Sequence, residues 1–249
     1  VSARELITDL LKERAETGRI YIMNIDHSNT HSSFKDKVNM SNLCQEITLP
    51  TDPIDHIDGE GEIALCILSA INVGIVKEEE MESLCDLAVR GLEELIDYQE
   101  YPVEAAKRST IARRSLGIGY IGLAHYLAKN KVKYNDPEAL QLVHDLTERF
   151  QFYLLKASNQ IAEEKGACAY FDRTKYADGI LPIDTYKKSV DELVKPKYNM
   201  DWEGLRKSIK ENGLRHSTLT AQMPSESSSV VSNATNGIEP PRDYLSVKK

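Results

Sequence analysis

Glu62-Ile63-Ala64-Leu65-Cys66-Ile67-Leu68 is a run in which apolar residues fill both alternating faces, Ala64, Cys66 and Leu68 on one and Ile63, Leu65 and Ile67 on the other. A strand exposed to water on one side alternates polar with apolar, so this pattern predicts a strand covered on both sides, as in a parallel sheet flanked by helices. Working outward, the same alternation of helices and buried strands recurs. Ser2 with Glu5 forms a capping box that opens a helix with Leu6, Leu10 and Leu11 inward, stopping near Gly18. Arg19–Asn24 reads as a strand, and the polar stretch Asp26–Asn39 as a loop. Glu79–Tyr98 is an amphipathic helix through Met81, Leu84, Leu87, Ala88, Leu92 and Leu95. Asp136-Pro137 opens a long helix through Leu140, Val143, Leu146, Phe150, Tyr153 and Leu154 toward Gly166. Asp201–Asn212 is a further helix with Trp202, Leu205 and Ile209 on one face, and Ser217–Gln222 a short strand. Together these predict an α/β architecture with largely parallel strands in a single domain.

The chain has 249 residues, 41% hydrophobic and 28% charged, enough for one domain with a sizeable core. A formal charge of −8 argues against nucleic acid or an anionic membrane as a general partner. Any anionic ligand must then be held by local amides and hydroxyls. No apolar run approaches the ~20 residues that cross a bilayer. The four cysteines, Cys44, Cys66, Cys85 and Cys168, have no short paired spacings and no secretory leader before them, so a cytoplasmic protein without a disulfide framework is expected. Cys85, on an apolar helix face, and Cys168, after a helix end, read as structural.

Chemistry concentrates in Asn42-Leu43-Cys44-Gln45-Glu46. If this segment is extended, Asn42, Cys44 and Glu46 share a face, bringing an amide, a thiol and a carboxylate into one volume. The plainer reading is a packed small cysteine with polar neighbours that cap or solvate. The run Pro224-Ser225-Glu226-Ser227-Ser228-Ser229 offers hydroxyls and backbone amides that can cradle phosphate, although serine-rich loops are commonly just solvated.

Ser41–Thr51 closely resembles the catalytic finger loop of the class I ribonucleoside-diphosphate reductase large subunit. Gly61–Cys66, Ala105–Arg108 with Arg113–Gly119, and Met223–Ser229 running into Ser232–Arg242 agree with that family in order and spacing. The resemblance implies part of a ten-stranded α/β barrel with a central finger loop. Residues 1–249 would form a partial catalytic barrel domain, with the finger loop at about 38–52 and a substrate phosphate loop at 223–229. It implies that Cys44 becomes a thiyl radical that removes the 3′ hydrogen of a ribonucleoside diphosphate, that Glu46 is the base at the 3′ hydroxyl, and that Asn42 holds the ribose hydroxyls. A buried setting would suit Glu46 to that role. Cys66 would be one of two reducing cysteines, its partner lying upstream in a stretch absent from this sequence. Ser225, the backbone amide of Glu226, Ser227 and Ser228 would hold the diphosphate, with the Glu226 carboxylate turned away.

The resemblance further implies no metal and no cofactor on this chain. The radical would come from a metal-containing small subunit and the electrons from an external thiol reductant of thioredoxin or glutaredoxin type. Complementary large-subunit segments would supply the rest: a nucleotide-binding cone, specificity loops, a tyrosine pair that neither Tyr120 nor Tyr244 matches, and tail cysteines. A partial barrel has open edges and is expected to need another chain, as a split subunit or an excised piece. An inactive structural remnant is the alternative.

Two motifs point elsewhere. Gly117-Ile118-Gly119-Tyr120-Ile121-Gly122 matches a dinucleotide fingerprint, which would make the chain a dinucleotide-binding oxidoreductase, but the sequence shows neither a strand before it nor the acidic residue after it; close helix packing is the expected use of these glycines. His27 and His31 are four apart in an expected loop, a poor arrangement for a metal with Cys44. Arg113-Arg114 with Lys107-Arg108 is expected to be a solvated basic face.

Overall fold

The computed structural model describes residues 1–56, 59–194 and 197–243; Tyr244 and the last residues Leu245–Lys249 lie outside the described residues. Helices are α1 (Ala3–Thr17), α2 (Ile25–His31), α3 (Met81–Tyr98), α4 (Glu104–Arg113), α5 (Leu123–Lys129), α6 (Pro137–Lys165), α7 (Pro182–Thr185), α8 (Trp202–Asn212) and α9 (Glu226–Val231). The strands β1 (Ile67–Asn72) and β2 (Leu116–Ile121) pair in parallel, Ile67 opposite Leu116 and Asn72 opposite Ile121. Helices α3 and α6 pack together over this pair and α8 packs on α6, around a core that includes Cys85, Ile96, Leu116, Ile118, Leu154, Leu155 and Ile209. The mixed α/β reading holds. No helix among the described residues is long and apolar enough to cross a membrane.

Local signals explain most boundaries. Ser2 Oγ accepts from the Glu5 amide while Glu5 reaches back to Ser2, and Gly18 closes α1 in the left-handed region. Asp201 caps α8 through the Gly204 amide, and Trp202, Leu205 and Ile209 are buried as expected. Gly166 ends α6.

Several expectations are overturned. α1 buries nothing, and Leu6 and Leu11 face water because no element among the described residues packs on that stripe. Residues 19–24 are not a strand: without a neighbour among the described residues to complete a ladder, Tyr21 and Ile22 stay exposed. Part of the expected polar loop is helix α2, which carries both His27 and His31. On α3 the buried stripe is Met81, Cys85, Val89, Leu92, Glu93 and Ile96, so Leu87 and Leu95 point outward. Cys66 stands one residue before β1, and Leu65 and Leu68 are exposed, not covered on both faces. Among the described residues β1 pairs along one edge only, which leaves the other side open.

Residues 217–222 form no full strand but run beside β2. The Leu116 and Ile118 amides donate to the carbonyls of Thr218 and Leu219 at 3.1 and 2.8 Å, and Ile118 bridges Thr220. The glycine-rich stretch is itself strand β2, and its glycines admit this crossing chain instead of a helix. A Cβ on Gly119 would lie 2.4 Å from the Ala221 carbonyl oxygen, and one on Gly117 2.6 Å from the Leu68 side chain.

Candidate functional site

The finger segment is clamped at both ends. On the way in, the Asn29 side chain pairs with the backbone of Val38 as a ladder partner would, donating to its carbonyl at 2.8 Å and accepting from its amide at 2.9 Å. Phe34 bridges Thr174, and the Lys35 amide donates to the Arg173 carbonyl. On the way out, Asp52 and Glu62 exchange amide-to-carbonyl bonds at 3.2 Å each. Between these ends the chain reverses in a tight turn: the Gln45 amide donates to the Asn42 carbonyl, and the Ile47 amide reaches Asn42 Oδ1.

That turn alters the expected geometry. Gln45 is left-handed, φ 58°, which breaks the alternation an extended segment would have. Cys44 stands exposed at the turn, beside the exposed Leu43, and the Asn42 amide group is occupied in closing it. The three side chains do not share one enclosed face in this chain. Glu46, on the returning limb, is half-buried, and its Oε2 is buried without a hydrogen-bond partner.

Glu46 instead lies near enough to Cys66 for its charge to act there. Burial and then the negative charge of Glu46 push the Cys66 thiol up to about 11. Cys66 packs with Ala64 against a small second core of Phe34, Val38, Ile47, Leu49 and Ala221. The return limb of the finger, the Cys66 segment and the approach to the serine loop therefore share one apolar cluster, separate from the main core.

The serine loop follows directly. Gly119 leaves room for Met223, and α9 begins after the buried Ser225. The Ser225 hydroxyl donates to the Met223 carbonyl and that of Ser228 to the Ser225 carbonyl, both at 3.1 Å, so these hydroxyls brace the loop's own backbone. Glu226, Ser227 and Ser228 are exposed. With Gly117 and Gly119 crowded by Leu68, Ala221 and Met223, β2 offers no open cradle for a dinucleotide pyrophosphate.

Sequence reasoning missed two buried charge networks and read Arg113 and Arg114 as solvated. Arg113 is 2% exposed; its guanidinium donates to Glu62 Oε2 at 2.6 Å and Asp36 Oδ2 at 2.8 Å, and lies over Tyr170. Arg173 also reaches Asp36 and Glu62. Arg114 and Arg215 both hold Glu93, which His216 contacts at 3.0 Å. Against the raising effect of burial, hydrogen bonds from His216, Arg114 and Arg215 keep Glu93 well below the usual carboxylate range. Burial lowers His216, outweighing the pull of Glu93. The signal was present in Glu93, a charged residue on the stripe of Val89, Leu92 and Ile96.

His27 and His31 stand one turn apart, ring centroids 6.3 Å, and form no ligand group with Cys44 among the described residues. His144, Asp145 and Glu148 do converge within 4.8 Å. Glu148, however, already accepts from the amides of Asn199 and Met200 and from Trp202 Nε1, which makes it a clamp for the start of α8.

The family described as the ribonucleotide reductase barrel domain matches residues 1–249. The ribonucleoside-diphosphate reductase subunit alpha of Haemophilus influenzae is 60% identical over all of this chain, which covers 34% of that protein. The ribonucleoside-diphosphate reductase 1 subunit alpha of Escherichia coli is 56% identical and the phage T4 subunit alpha 45%, each over all of this chain and 33% of its relative. The chain thus spans about a third of the length of the curated relatives it matches. It belongs to the ribonucleotide reductase barrel-domain family.

Proposed function

We propose that this chain is a component of ribonucleoside-diphosphate reductase, a partial catalytic barrel domain that reduces ribonucleoside diphosphates to deoxyribonucleoside diphosphates in the cytoplasm. In this reading it works only with complementary segments that complete a ten-stranded barrel and with a metal-containing small subunit that oxidises Cys44. The observation that carries it is the shared cluster of Ile47, Leu49, Cys66 and Ala221, which gathers the finger limb, a thiol and the entry to the serine loop. The exposure of Cys44, of Leu65 and Leu68, and of the apolar stripe on α1 fits surfaces that those segments cover.

The Cys44 thiyl takes the 3′ hydrogen atom, and Glu46 takes the 3′ hydroxyl proton. The 2′ hydroxyl leaves as water with a proton from the Cys66 pair. That pair supplies two electrons and two protons in all and ends as a disulfide, and Cys44 returns the hydrogen to C3′. A thiol held protonated, as Cys66 is by burial and by Glu46, suits a proton and hydrogen donor better than a nucleophile. Asn42 positions the ribose once substrate displaces its bond to Ile47. The diphosphate sits on the Glu226 amide and Ser227, and on Ser225 and Ser228 once their hydroxyls turn from the backbone carbonyls they hold here. An external thiol reductant reopens the disulfide.

The test is to exchange this segment into the Haemophilus influenzae subunit and assay reduction of a ribonucleoside diphosphate with small subunit and thiol reductant. Activity that disappears with Cys44→Ser supports the reading. An assembled, folded chimera without activity supports an inactive structural remnant instead.

A further inference from the structure

A cavity of about 220 Å³ is lined by Glu46 together with Ser32, Thr48, Gln151, Thr218 and Thr220, and His31 borders it. Two oxygens of its wall, Glu46 Oε2 and Ser32 Oγ, are buried with no hydrogen-bond partner. Burial without a partner is unfavourable for such groups, and more so for a carboxylate. A polar cavity with several partners, and room for more than one water at about 30 Å³ each, fills with water. The cationic side chain in the wall does not replace that water: Lys175 Nζ donates to the Asn29 and Thr30 carbonyls at 2.9 Å each.

We propose that ordered water in this cavity, with the hydroxyls of Ser32, Thr48 and Thr220, forms a proton relay between Glu46 and the surface at His31. The proposal rests on the reading of Glu46 as the base at the substrate hydroxyl. The carboxylate takes one proton from the substrate and gives it to the adjoining water, which passes one of its own onward. One proton crosses the cavity, no electron moves, and the reverse transfer resets the site. His31 is exposed on the last turn of α2 with Nδ1 against the Thr185 carbonyl, which leaves Nε2 as the terminal acceptor. The other titratable groups near the path are poor competitors. Lys175 is bound to carbonyls, the buried Tyr176 is pushed up to about 12, and Cys66 is held as a thiol.

The test uses the full-length Haemophilus influenzae chimera. A high-resolution crystal structure is expected to show ordered waters linking Glu46 Oε2 to Ser32 Oγ, and a dry cavity overturns the relay. Ser32→Ala with Thr48→Val removes two hydroxyls while leaving the Ser32 backbone amide on Ser28. The expected result is about tenfold slower turnover at unchanged KM, a larger solvent deuterium isotope effect and partial rescue by added imidazole. Unchanged turnover overturns the relay, and so does a slow variant with the parental isotope effect and no rescue, because that is a merely structural defect. An inactive unsubstituted chimera, or Glu46→Gln with full activity, instead overturns the functional reading, and the relay with it.

Discussion

Arg113 Nε donates to Glu62 Oε2 at 2.6 Å with both side chains almost wholly buried, and the same guanidinium reaches Asp36. One cation at the end of α4 thereby ties together the segment that leads into the finger and the segment that leads into Cys66. Removing one partner of a buried pair strands the other charge, which costs about 3–5 kcal/mol. Arg113→Met is expected to lose stability of that order in urea unfolding, and to make the amides of Val38 and Ile47 exchange faster with solvent. A variant as stable as the parent, with unchanged exchange at both amides, would show that this cation does not hold the finger.

Two glycines separate close approach from mere flexibility. Gly119 has the Ala221 carbonyl where a Cβ would go, whereas Gly91, inside α3, has nothing within 4 Å. Gly119→Ala is expected to destabilise by about 1–3 kcal/mol through overpacking, and to shift the serine loop through Ala221 and Met223. Gly91→Ala is expected to stabilise by about 0.5–1 kcal/mol, because alanine suits a helix interior better. Thermal unfolding of the two variants checks both signs.

The Glu93 network contributes to the acid response of the fold. The Ser158 hydroxyl faces His216 Nδ1 and Glu93 faces Nε2, an arrangement that a neutral imidazole satisfies with Nε2–H donating to the carboxylate. Both groups are lowered in the folded chain, so the unfolded chain binds more protons and stability rises with pH. As pH falls through about 6.5 the unfolded histidine charges first, and below about 4.5 the unfolded glutamate follows. The urea midpoint is expected to decline from pH 7 to 5, and His216→Gln to flatten that decline. A midpoint that rises toward acid would contradict a neutral buried His216.

Those parts of the fold governed by local chemistry were legible in the residues. The Ser2–Glu5 capping box, Gly18, the Asp201 cap and the Trp202–Leu205–Ile209 stripe act within a few positions of themselves. What depended on partners distant in sequence was not. Ile20, Tyr21 and Ile22 look like a strand but have no ladder to join among the described residues, and Leu116–Ile121 is a strand despite two glycines because Ala221 crosses it. Arg113 and Arg114 read as solvated until Glu62, Asp36 and Glu93 are brought to them. At the site, the motif around Cys44 drew attention to Asn42, Cys44 and Glu46, but the reversal at Gln45 carried no glycine to announce it, so the path of the turn was hidden.

The influence of the Glu46 charge on Cys66 makes thiol reactivity a direct readout of the site. Alkylation requires thiolate and access. Cys44 is exposed, Cys66 is half-buried and pushed up to about 11, and Cys85 and Cys168 are buried and pushed up to about 12 and 11. At pH 8, Cys66 then holds about a hundredfold less thiolate than an ordinary cysteine. Iodoacetamide followed by peptide mass mapping is expected to label Cys44 first and Cys66 far more slowly, with Cys85 and Cys168 reacting only after unfolding. Burial is the larger cause at Cys66 and the Glu46 charge the smaller, so Glu46→Gln should quicken Cys66 severalfold without bringing it level with Cys44. If Glu46→Gln leaves the Cys66 rate unchanged while the unfolded chains react alike, the carboxylate does not face that sulfur, and the joint site of finger limb and thiol is lost.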